Sequence, residues 1–175
     1  MAHIKSTYKY LAVILVGSII FFLDYFELTN PVTNEIVLFI ISILKSVYFI
    51  YFVFRTIKET ANKDFYFDDF MSFIVVSILL VIISFAIDYY CLFRIKKDAF
   101  AGLIPKSSIV TEFITFFYYS ISVFTTAGFG DVKPNCTSAQ IFVSMELLIA
   151  FFFTVLVIAN IGHIRSSFGQ KKNEK

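Results

Sequence analysis

Apolar residues along this chain fall into four long runs and one short one. The long runs extend from about Tyr8 to Leu28, Glu35 to Phe54, Met71 to Phe93 and Ser138 to Ile161, and the short one from Ile109 to Phe124. A helix needs about 20 apolar residues to cross a hydrocarbon core. The long runs are therefore predicted transmembrane helices. The short run is predicted to be re-entrant, which is tolerated only where protein surrounds it. Between the runs lie a turn at Thr29, Asn30 and Pro31, a mixed charged and aromatic connector from Arg55 to Phe70, and a polar stretch from Arg94 to Ser108. The ending HIRSSFGQKKNEK is too short and charged to fold alone.

Composition agrees with that pattern. Of 175 residues, 58% are hydrophobic and 16% charged, with 24 Phe and 10 Tyr, and the mean hydropathy is +0.80. A water-soluble domain of this length needs more charge to cover its surface. The net charge of +2 comes with no basic stretch that argues for nucleic acid; the terminal lysines read as membrane flanks. The apolar run behind the first lysines has no Ala-x-Ala-like site, so it is read as a retained helix rather than a cleaved signal. Cys91 lies in an apolar run and is expected to be packed, and Cys136 is expected to stay free, with pairing between subunits as the alternative. His3 and His163 are far apart, with no metal or nucleophile spacing, which leaves no case for an enzyme or a cofactor.

Between the short run and the last long one stands TTAGFGDVKP, Thr125 to Pro134. It resembles the selectivity filter of potassium channels, in which Thr-x-Gly-Tyr-Gly-Asp is followed closely by Pro. The matching residues are Thr126, Ala127, Gly128, Phe129, Gly130 and Asp131, with Pro134 three positions on. A dehydrated cation needs oxygen ligands on all sides, and rings of backbone carbonyls replace its water shell. Gly128 and Gly130 visit at little cost the backbone conformations that aim successive carbonyls down one axis. The resemblance implies K+ sites from the carbonyls of Thr126, Ala127, Gly128 and Phe129, bounded by Gly130. It also implies support from Thr125, from Asp131, and from Tyr118 and Tyr119, which form an aromatic collar with Phe129. Phe129 in place of the commoner Tyr lacks one bracing hydroxyl.

One chain carries one such loop and a carbonyl ring needs four, so a homotetramer is expected, embedded in lipid; no other protein partner can be inferred. The short helix aims the negative end of its dipole at the ion path. On the last helix Phe151, Thr154, Ile158 and Gly162 share one face and are the expected inner pore lining, with Ile158 a candidate apolar constriction. Where family members often have a hinge glycine, this chain has Ala150. Glu146 is an acid inside an apolar helix. Prokaryotic inward-rectifier-like channels have a glutamate at the same distance from the filter. It is read as a titrating or packing group behind the pore helix, or as a cavity-facing acid. The large cytoplasmic domain of those channels is absent from this sequence.

The first two helices resemble nothing as specific. Their interiors lack the arginine series of a voltage sensor. Lys45 lies nine residues inside the second run from Ile36, about 13 Å deep. It pairs with Asp24 or Asp88, or it snorkels. The resemblance covers about Met71 to Gly162 and implies a plasma-membrane protein with both termini cytoplasmic. The four Lys and Arg of Arg94 to Lys106 then lie outside, against a simple positive-inside count. The expected organisation is two peripheral helices and a connector over residues 1–70, a pore module over 71–162 and a tail over 163–175. The expected fold is an all-α membrane protein with four transmembrane helices and one re-entrant pore helix, assembled as a tetrameric channel. The expected function is passive potassium conduction. A non-selective monovalent cation channel and a non-conducting regulatory or structural subunit are the alternatives.

Overall fold

The computed structural model describes residues 31–60, 67–102 and 108–173, with side chains from 32 to 55, 72 to 102 and 108 to 159. Among the described residues four helices carry the fold: α1 (Pro31–Thr60), α2 (Phe67–Ile95), α3 (Ile109–Phe124) and α4 (Thr137–Asn173). Two strands, β1 (Phe100–Gly102) and β2 (Val132–Pro134), lie between them. Among the described residues three segments are long and apolar enough to cross a membrane: Val32–Arg55, Ser72–Ile95 and Thr137–Ala159. The predicted span from Tyr8 to Leu28, with Asp24, lies outside the described residues.

Pro31 opens α1, where its missing N–H is one that no helix could satisfy internally. Leu38, Ser42, Lys45, Phe49, Phe52 and Val53 are buried at helical spacing, while Ile36, Ile40, Leu44, Val47 and Tyr51 are exposed on the other side. The buried stripe lies against both α2 and α4. Phe39 meets Phe142 edge-on at 5.9 Å, Phe49 stacks on Phe153 at 5.3 Å, and Phe54 meets Phe152 at 4.8 Å. The early residue Phe39 meets the early Phe142, and the later Phe49 and Phe54 meet the later Phe153 and Phe152, so α1 and α4 run parallel. At their starts Ser138 donates its hydroxyl to the Glu35 carboxylate.

The second half of α2 is buried on nearly every side, from Val81 to Phe93, because α3 and β1 fold back over it. Its largest contact is with α3, through Tyr90, Phe93 and the central ring of Phe116. Helix α3 starts at Ser108, whose side chain accepts the Thr111 N–H at 3.2 Å. At 16 residues it is about 24 Å long, short of the roughly 30 Å a crossing demands.

Two features depart from the sequence reading. The strand pair was not expected in an all-α fold; it joins Phe100 to Pro134, Ala101 to Lys133 and Gly102 to Val132 in antiparallel register. The charged ending also does not stop the last helix, since α4 continues to Asn173. Appended to a long helix, that segment needs no nucleation of its own.

Candidate functional site

The distinctive piece of backbone is the loop Thr125–Asp131 between α3 and β2. Its first half is pinned to the end of α3. Thr125 caps the helix with its N–H on the Ile121 carbonyl at 2.9 Å, and its hydroxyl donates to the same carbonyl at 2.7 Å. The Thr126 N–H reaches the Val123 carbonyl at 2.9 Å and the Ala127 N–H the Ser122 carbonyl at 2.9 Å.

Beyond this pinning, every second residue turns left-handed: Thr126 at φ 57°, Gly128 at 58° and Gly130 at 77°. In a regular strand successive carbonyls point to opposite sides. Alternating the hand of the backbone turns them to one side, and glycine does this without strain. Thr126 is the non-glycine member, a conformation that opposes its Cβ and was not anticipated for it. All residues from Thr125 to Gly130 are exposed.

Phe129 lies parallel to Tyr118, 9° apart with ring centroids at 5.9 Å. Tyr118 also lies beside the Asp131 carboxylate, which accepts the Val132 N–H at 3.0 Å. Within the chain Tyr119 points away from this pair, about 100° round the helix from Tyr118. It is buried, 5.2 Å from Tyr89 and 5.8 Å from Phe100.

Glu146 is fully buried between α2, α3 and α4. One carboxyl oxygen accepts the Tyr89 hydroxyl and the other contacts the Ser120 hydroxyl, both at 2.5 Å. Ser120 also reaches the Ile82 carbonyl at 2.9 Å. Within the chain Glu146 thus joins the three helices instead of facing open space. Ala150 is packed, while Phe151, Thr154 and Ile158 are exposed on one side of α4. The Gly162 surroundings lie outside the described residues.

Lys45 meets Asp88. Its ammonium is 2.6 and 2.8 Å from the two carboxylate oxygens and 2.9 Å from the Ser84 hydroxyl. Ser42 donates to the same carboxylate at 2.8 Å. Both charges are buried, with Asp88 1% exposed. Ser42, Ser84, Tyr89 and Ser120 escaped the sequence reading, because a serine or tyrosine in an apolar run carries no sign of the carboxylate it will meet. Among the described residues no group of His, Cys, Asp and Glu could hold a metal ion, and both cysteines are free.

A short apolar helix that ends on an exposed loop lies between two membrane-length helices, an arrangement that fits a membrane ion channel. The family model described as ion channel matches residues 75–166, and the chain belongs to that family. It contains α3, the loop, β2 and most of α2 and α4, so conduction is passive and belongs to this half of the chain. No curated protein matches the sequence.

Proposed function

We propose that the protein is a potassium-selective channel, a homotetramer of the plasma membrane with both termini in the cytoplasm and no voltage sensor. The alternation of left-handed residues at Thr126, Gly128 and Gly130 carries this reading. Four such loops around an axis offer stacked rings of carbonyls from Thr126, Ala127, Gly128 and Phe129, the ligand set that replaces the water of a monovalent cation. The C-terminal end of α3 faces the same axis and favours positive charge.

The surrounding residues support the loop in distinct ways. Thr125 and Asp131 hold its ends, Tyr118 backs Phe129, and Tyr119 and Glu146 fix α3 from behind. Phe151, Thr154, Ile158 and Gly162 line the inner path. Lys45 and Asp88 dock α1 onto the pore module; a charge already neutralised in place is no mobile gating charge, which supports voltage independence.

Reversal potential in planar bilayers, with potassium on one side and sodium on the other, tests the reading. The expected value lies near the potassium Nernst potential. Gly128→Ala is expected to abolish selectivity. A methyl at Gly128 meets no atom within 4 Å, so the effect would come from φ +58° alone. Cation current reversing near zero would make the channel non-selective, and a tetramer that never conducts would make it a regulatory subunit.

A further inference from the structure

The backbone bonds of the loop to α3 end at Gly128, whose N–H lies 3.5 Å from the Ser122 carbonyl, and beyond it α3 touches the loop through the Tyr118 side chain, on Phe129 and beside Asp131. The loop's other end runs into β2, and β2 is paired with β1. Strand β1 is anchored: Phe100 is 4% exposed and its ring lies 5.1 Å from Phe116, 5.6 Å from Tyr89 and 5.8 Å from Tyr119. The junction is closed by the Asn135 N–H on the Ala99 carbonyl at 2.8 Å and the Asn135 side-chain amide on the Asp98 carbonyl at 3.0 Å. At the other end of the pair the backbones approach so closely that a Cβ on Gly102 would fall 1.8 Å from the Asp131 carbonyl oxygen. Gly102 also has φ +123°, a region that side chains avoid.

We propose that the β1–β2 pair is a strut that sets the position of the outer end of the Thr125–Asp131 loop, with Gly102 as its positioning residue. The strut transmits the place of α3 to Asp131 by a second route: α3 holds Phe100 by packing, β1 holds β2 by its ladder, and Gly102 lets the Asp131 carbonyl seat against its Cα. The two ends of the loop are thereby fixed to one helix. A side chain at 102 pushes Asp131, and with it Gly130 and Phe129, off the position that α3 prescribes. The inference rests on the reading of this loop as the ion path.

The test uses the full chain reconstituted in liposomes, comparing wild type, Gly102→Ala and a semisynthetic protein with D-alanine at 102. Backbone amide exchange of Val132, Lys133 and Asn135 reports the strut, Pro134 having no N–H, and macroscopic potassium current reports the loop. Gly102→Ala is expected to speed that exchange about tenfold and to convert a sustained current into one that decays, the decay slowing as external potassium is raised. D-alanine, whose methyl projects on the other side of Cα, is expected to restore both. If Gly102→Ala fails to assemble, Asn135→Ala removes only the side-chain bond to Asp98 and is expected to give the same changes at smaller size. Unchanged exchange, or faster exchange with wild-type current, would overturn the strut. A wild type that is not potassium-selective overturns the functional reading instead, and that result is independent of the exchange comparison.

Discussion

At the scale of single residues the most consequential contact is the buried pair of Lys45 and Asp88. Taking two charges out of water is expensive, and here the remaining hydrogen-bonding capacity is met by Ser42 and Ser84. Removing one partner leaves the other charge buried alone. Lys45→Met is therefore expected to destabilise the subunit by about 3 kcal/mol, read as a lower midpoint of thermal unfolding in detergent. Adding Asp88→Asn should return a large part of that loss, giving a coupling of about 2 kcal/mol. An unchanged midpoint for Lys45→Met would mean that the lysine escapes to the interface. The cost of an unpaired lysine about 13 Å into a helix was legible in the sequence, which left pairing and snorkelling as its two answers. Which acid meets it was not, because that depends on which faces of α1 and α2 oppose each other. Glu146 poses the same problem with uncharged partners. Glu146→Gln keeps both contacts, its amide N–H donating to Ser120 and its oxygen accepting from Tyr89. It is expected to unfold within about 1 kcal/mol of wild type, whereas Glu146→Leu strands the buried Tyr89 hydroxyl, leaves Ser120 only the Ile82 carbonyl, and should cost roughly 2 kcal/mol.

At the scale of elements, the unexpected relation is that α1 touches the pore-side helix α4 directly and is not held only through α2. Three aromatic pairs make the contact, at Phe39, Phe49 and Phe54. Packing geometry, rather than removal from water, has to hold such a seam in lipid, since lipid tails are as apolar as phenylalanine. Replacing Phe49 and Phe54 together by alanine should loosen α1, seen as faster amide exchange over residues 40–55. Val47→Ala, on the exposed side, should leave exchange as it was. Equal effects of the two changes would mean that helix propensity, and not the seam, sets the stability of α1. The membrane-length helices and the short helix α3 were readable from the lengths of the apolar runs, because the bilayer sets how long a crossing must be. The seam was not, since Phe occurs on every face of these helices. Nor was the strand pair: three residues on each side give no period, and the small signal available was a lone glycine, Gly102, in a polar linker.

At the scale of the whole molecule, two exposed faces stand out among the described residues, and they differ in kind. The outer face of α1 is apolar from Val32 to Tyr51, as lipid contact requires. The face made by α3, the loop and α4 mixes Ile114, Leu148, Phe151 and Ile158 with exposed Thr125, Thr126, Gln140, Ser144 and Thr154. Exposed carbonyls and hydroxyls at membrane depth are stable only against protein or a water-filled path. A tetramer that turns this second face inward meets that demand, while one that turns α1 inward leaves the loop in lipid. Cysteine accessibility separates the two arrangements in a Cys136→Ser background, Cys91 being buried. Thr154→Cys is expected to react with a water-soluble, charged thiol reagent in the open channel and to lose most of its current on reaction. Leu44→Cys is expected to react only with a lipid-soluble maleimide and to keep its current. The reverse pattern would put α1 around the pore, and charged-reagent labelling at neither position with a conducting wild type would place the aqueous path on some other face of α4.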